Sequence, residues 1–220
     1  MTAHRRLCAR IVRCMVVAAG FSALPVLPAG AQTPGYITAK PDAILRVFGK
    51  ETAGRIFSNA YTPVRQQAVL RSQNTIPGFE CPAEPKIALA EIIPYPLKAG
   101  VVSWIERFFV ACTPRTVRNF LLVLETQQPT VVELLPGMTN ADPRLQRDAS
   151  IGAAAAVAKK VPQGCERRFV TETQLVSKLE RGVPWQERWH YDLCGAKAEV
   201  EMTFTSSEAS GTTWAAKLIE

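Results

Sequence analysis

WQERWHYDLCGAKAEVEMTFT, residues 185 to 205, decides how the rest of the chain is read. Ala198, Val200, Met202 and Phe204 alternate with Lys197, Glu199, Glu201 and Thr203, the period of two that marks an antiparallel strand with one buried face. Cys194-Gly195 supplies a tight turn before it, so Trp185 to Cys194 is the partner strand of a hairpin. Upstream, Trp104-Ile105-Glu106-Arg107-Phe108 precedes Cys112 as Trp185-Gln186-Glu187-Arg188-Trp189 precedes Cys194. Both read W-x-E-R-aromatic. The second copy has one residue more between tryptophan and cysteine, which a β-bulge is expected to absorb.

Further strands are predicted near Lys86 to Ile93, Arg115 to Glu125, Val131, Arg167 to Leu175 and Thr212 to Leu218. Helices precede each set. Pro41 to Ala60 carries Ile44, Leu45, Phe48, Ile56 and Phe57 at helical spacing, with Gly49 and Gly54 as the points where it splits. Asp142 is an N-cap with Pro143 at the first helical position of a second helix, which ends before Pro162. Its alanine-rich stretch, Ala153 to Ala158 after Gly152, lets it lie close to a sheet. A short element is expected around Val64 to Leu70. The fold class is α+β, with two similar helix-plus-antiparallel-strand halves. Their boundary falls in a linker near Leu135 to Asp142, giving a first half at 32–138 and a second at 139–220, which could still pack as one domain.

Arg5, Arg6, Arg10 and Arg13, the apolar run from Cys14 to Leu27 and the small-x-small Ala29-Gly30-Ala31 have the form of a secretory signal, residues 1–31, cleaved before Gln32. The apolar run is interrupted by Gly20 and Pro25 and falls short of the roughly twenty residues a membrane span needs, so no stable insertion is expected after cleavage. Those four arginines account for four of the chain's +7 formal charges, and the remainder carries +3. With no basic block longer than Lys159-Lys160 or Arg167-Arg168, a nucleic-acid partner is not expected.

Cys81, Cys112, Cys165 and Cys194 remain in the exported part, where disulfides form. Four cysteines allow three pairings. The near-equal intervals favour Cys81 with Cys112 and Cys165 with Cys194, one bridge per half, each worth roughly 3 to 4 kcal/mol in the chain-entropy account. A zinc site would want C-x-x-C pairs, and none is present. Neither a metal nor a cofactor is predicted, because phosphate-binding, dinucleotide, H-E-x-x-H and EF-hand patterns are missing from the sequence.

Glu106 and Glu187 recur at matching positions. As a pair of carboxylates about 5 to 10 Å apart across a cleft they would suit glycoside hydrolysis, with tryptophans positioning sugars. The simpler expectation is a cross-strand ion pair or a place on the polar face. His190 is the one histidine after Ala31; alternation directs it away from Trp189 and Tyr191, onto the polar face. Trp104, Trp185, Trp189 and Trp214 are expected in the core, with Trp185 beside the second disulfide. Glu187→Gln is expected to leave the fold nearly intact.

The pattern Trp185-x-Glu187-x-Trp189, Cys194-Gly195, Phe204-Thr205 and Gly211-Thr212 resembles a motif of small exported proteobacterial proteins known as uncharacterised. The resemblance covers about the last forty residues, with an echo at Trp104 to Cys112, where Thr113-Pro114 stands in place of the glycine. It implies an exported, disulfide-bonded module and assigns no catalytic residue. The functional expectation is a non-enzymatic binding or structural module of the cell envelope, periplasmic or secreted, whose partner is an envelope protein or polysaccharide. The alternative is a small hydrolase of envelope polysaccharide using Glu106 and Glu187.

Overall fold

Pro41 opens the first helix and Asp42 follows in its first turn, where a negative charge meets unpaired N–H groups. The computed structural model describes residues 41–125, 127–177, 180, 182–207 and 211–219; the expected signal, 1–31, lies outside them. Helix α1 (Pro41–Phe57) is broken at Gly49, whose φ of 76° and ψ of 169° no helix contains. Ile44 and Ile56 are buried, while Leu45 and Phe57 are exposed. Neighbouring residues on a helix point about 100° apart, so only one of each apolar pair reaches the sheet. Helix α2 (Thr62–Gln73) is longer than its expected core of Val64 to Leu70, because its buried face is built from Arg65, Ala68, Val69 and Ser72 rather than from large apolar residues.

Eight strands follow the predicted order among the described residues. β1 (Ile87–Pro94), β2 (Val102–Val110), β3 (Thr116–Leu124) and β4 (Thr130–Glu133) form an antiparallel meander, and β5 (Phe169–Leu175), β6 (Trp185–Leu193), β7 (Ala196–Ser207) and β8 (Gly211–Leu218) form another. Between them lies helix α3 (Pro143–Val157), where the Asp142 side chain accepts hydrogen bonds from the Arg144 and Leu145 N–H groups. The halves are alike: helix, four-stranded meander, one disulfide.

Period-two alternation sorts each sheet into faces. In the first, Trp104, Phe108, Phe120 and Leu122 pack with Ile44, Ile56, Tyr61 and Val69 of the helical segment. In the second, Trp189, Val200, Met202 and Phe204 pack with Ala149, Ala153 and Val157 of α3. Gly152 allows the close approach expected of this helix, since a Cβ there would collide with the Trp214 ring. The opposite face of the second sheet carries the polar members of β6 and β7, His190 among them, with Nδ1 3.0 Å from Glu199.

Both predicted disulfides are present, Cys81–Cys112 with Cα atoms 4.5 Å apart and Cys165–Cys194 with Cα atoms 5.8 Å apart. Neither bridge lies beside its tryptophan. Trp185 and Cys194 sit at opposite ends of β6, and at about 3.3 Å per residue nine residues separate them by roughly 30 Å. Trp185 instead stacks on Phe204, with ring centroids 5.0 Å apart. The expected bulge is also placed differently. β6 pairs with β7 without interruption, and the bulges fall in β1 at Leu89/Glu91 and in β5 at Val170/Glu172. The extra residue is taken up at the hairpin, where positive φ at Cys194 (57°) and Gly195 (94°) makes the two-residue turn that suits strand twist.

Asp192 fastens this hairpin, accepting from the Gly195 N–H at 2.8 Å and the Lys197 ammonium at 2.5 Å. The Lys197 and Gly195 hydrogen bonds hold its carboxyl below the usual range. A carboxylate with a lowered folded-state pKa contributes stability that is present above its unfolded value and lost as pH falls through the folded one. Thermal midpoints from neutral pH to about 3 should therefore fall below about pH 4, and fall less in Asp192→Asn.

The segment expected to be a linker is a strap built into both sheets. Residues 134–138 prolong the line of β4 along β3, with Leu134 N–H bonding Asn119 O and Gly137 N–H bonding Val117 O, both at 2.9 Å. On its other edge the strap pairs in parallel with β5: the Thr173 N–H donates to Pro136 O (2.9 Å) and the Met138 N–H to Thr173 O (2.6 Å). Side chains add to this, since Asn119 Nδ2 donates to Leu135 O and Gly137 O, and Arg107 donates to Thr139 O. The described residues accordingly form one compact unit.

Candidate functional site

The two recurring glutamates face the helices, not solvent. Because β2 alternates, Trp104, Glu106 and Phe108 share one face, and Trp185, Glu187 and Trp189 share the corresponding face of β6. Both glutamates are 0% exposed. A buried carboxylate must have its oxygens satisfied, and the halves do this differently. Glu106 receives a two-pronged grip from Arg65 of α2, Nε to Oε2 at 2.8 Å and the terminal nitrogen to Oε1 at 2.7 Å, plus the Trp104 indole N–H at 2.9 Å. Glu187 is held by neutral donors: the Trp185 indole (3.1 Å) and Asn140 N–H (2.8 Å) on Oε1, and the Trp189 indole (3.0 Å) on Oε2.

An i to i+2 bond from tryptophan to glutamate is thus common to both halves. The arginines of the motif point the other way. Arg107 pairs with Glu91 of β1 at 2.6 Å, and Arg188 lies 3.6 Å from Glu199 on the open face. The expected polar-face position is therefore corrected, and so is the expected cross-strand ion pair: the cation on Glu106 comes from a helix, and Glu187 is held by neutral donors. Alternation decides the face, and W-x-E-x-W puts the acid among the tryptophans.

This arrangement offers a sugar neither oxygen. Glu106 looks toward α1 and α2, whereas Glu187 bonds to the strap at Asn140, and the adjoining Thr139 carbonyl lies against Arg107 on the opposite face of the first sheet. The first sheet stands between the two carboxyls, so they share no cleft. Trp104 and Trp189 are fully buried and Trp185 nearly so, while Trp214 is 37% exposed over Gly152. All four cysteines among the described residues are in disulfides. Among the described residues no group of His, Cys, Asp and Glu is placed to hold a metal ion, and no helix is long and apolar enough to cross a membrane.

The structural role of Glu187 reverses one expectation. Glutamine there would turn an NH₂ group toward one of the three donors, leaving a buried N–H unpaired at a cost of about 1–3 kcal/mol. Glu187→Gln should lower the denaturation midpoint measurably, though less than Trp185→Ala, whose lost stacking and cavity are worth about 3 kcal/mol.

Residues that sequence reading missed cluster at the strap. A groove of about 510 Å³ opens there, walled by Ile76 after α2, Leu121 of β3, Val132 of β4, Leu134 and Pro136 of the strap, and Val170 of β5. Its lining is mainly apolar, with Glu133, Gln146 and Arg147 among the polar members. Four stretches far apart in sequence, at 75–76, 121, 132–150 and 170, meet to make it, which no local pattern announces. Beneath the adjoining edge, Arg118 is almost wholly buried, pairs with Glu133 and lies 5.2 Å from the Phe79 ring centre. Burial pushes its pKa down to about 10, so it stays charged at neutral pH. Another, smaller pocket of about 160 Å³ contains Glu91, Tyr95, Arg107 and Asp142, but the Arg107 guanidinium there is committed to Glu91, Asn119 and Thr139.

No protein-family model, curated protein or solved structure matches the chain.

Proposed function

We propose that the chain is an exported, non-enzymatic binding or structural module of the cell envelope, working in the periplasm or outside the cell, with residues 1–31 as its signal. The observation that carries this reading is the groove beside the strap, set in a scaffold stapled by two disulfides. Its size lies in the range of pockets that seat ligands or anchoring side chains. Disulfides of this kind persist in oxidising compartments, and the resemblance to exported proteobacterial proteins supports the same placement. Mainly apolar walls suit an apolar segment of an envelope protein better than a polysaccharide, whose hydroxyls need many polar partners.

Val132, 47% exposed at the groove, is the position to probe. A photoreactive residue placed there in the exported protein should crosslink to one envelope protein, and Leu134→Asp in the same chain should abolish the adduct. The same probe at Lys98, outside the groove, should give none. Equal adducts at both positions, or cleavage of envelope polysaccharide by the purified protein, would overturn the reading. Intact mass of exported material should begin at Gln32 or within a few residues; retention of Met1 in a membrane fraction would refute the export assignment.

A further inference from the structure

Two four-stranded meanders have four outer strands, and three of them are closed to further pairing. β1 has a bulge at Leu89/Glu91 and ends in Pro94, which has no N–H to offer. β4 is four residues long and runs into the strap. β5 is bulged, and the strap occupies its outer edge at Thr173. β8 has none of these protections. It runs eight residues, pairs with β7 without a register shift, contains no proline and carries one charge, Lys217. Among the described residues, no backbone hydrogen bond from another element reaches its outer edge. An edge that long and that neutral is a template for another strand.

We propose that a second copy of this chain covers it, β8 pairing antiparallel with β8 of the other copy about a twofold axis at Ala215. Residues directly opposite in an antiparallel pair share a face, so a twofold axis must pass through a residue position. Centred on Ala215, the pairing sets Trp214 opposite Ala216, Thr213 opposite Lys217 and Thr212 opposite Leu218. The bulky ring meets a methyl group, the single ammonium meets a hydroxyl, and no like charges come together. This self-complementarity is what a twofold interface requires, since each residue must tolerate its own strand read backwards. The result is one sheet of eight strands with both copies of α3 on the same side, and Trp214, already lying over Gly152, becomes covered on its exposed part. β8 contributes nothing to the groove, so this inference stands apart from the proposed function.

Charge at position 213 tests the register without touching the core, because Thr213 is exposed and shares the open face with Lys217. Sedimentation of the purified exported protein from about 1 to about 200 µM should show a monomer–dimer equilibrium. Thr213→Lys should weaken the dimer at least about tenfold by setting two ammonium groups opposite each other, and Thr213→Glu should tighten it. Ala215→Cys should give a disulfide-linked dimer on mild oxidation, whereas Lys217→Cys should not. A monomer at every concentration, or a dimer that both Thr213 variants leave unchanged, would overturn the proposal. So would recovery of β8 paired with a strand of a different protein.

Discussion

Gly137→Ala is expected to destabilise the protein by about 4 kcal/mol or more, enough to remove a large part of the stability of a domain this size. Two independent costs coincide at this position. Gly137 has a φ of 87°, a region that side chains strongly disfavour, and an added Cβ would collide with the backbone O and N of Thr173. The obstacle is a strand backbone already bonded to β6 and to the strap, so it cannot swing aside as a side chain would. Gly182→Ala provides a comparison, because Gly182 also has positive φ (77°) but nothing within 4 Å of the added atom. Its cost should be confined to the backbone term, about 1 kcal/mol. Chemical denaturation of both variants separates collision from conformation; equal losses would show that the strap does not sit against β5 as described.

The second large effect is at Arg65. Arg65→Met should cost about 3–5 kcal/mol, since it leaves the Glu106 carboxylate buried with the Trp104 N–H as its remaining donor. Removing the charge as well should restore part of the loss. In Arg65→Met with Glu106→Gln the amide oxygen still accepts from Trp104, and no unpaired ion is left at this position. Denaturation midpoints should therefore order as wild type, double variant, single variant. A single variant as stable as the wild type would show that the Arg65 grip is not needed to keep the Glu106 carboxyl in the core.

Much of this fold could be read from alternation and turn chemistry. Ala198, Val200, Met202 and Phe204 are buried as their spacing required, Asp142 caps α3, and the matched cysteine intervals paired as expected. The glutamates were legible too: W-x-E-x-W states their face, and the habit of assigning acids to the polar side obscured it. Other features have no local signature. Arg65 stands 41 residues from Glu106, on a helix whose weak apolar pattern hides the face it presents. Pro136, Gly137 and Asn140 have the composition of a loop, and only the arrival of β5 turns that loop into a shared edge strand. The groove depends on the same long-range event, so neither could be found from neighbouring residues.

The order of the disulfides bears on how the chain matures. If the chain is exported N-terminus first, as proposed, Cys81 meets Cys112 before Cys165 and Cys194 have emerged, so an oxidant that joins cysteines in order of appearance makes the native set directly. No reshuffling of mispaired bridges is needed, and reshuffling is among the slow steps of oxidative folding. The yield of correctly bridged protein should depend on the oxidant and remain unchanged in cells lacking a disulfide isomerase. Sensitivity to loss of the isomerase would indicate that the second half competes for the cysteines of the first.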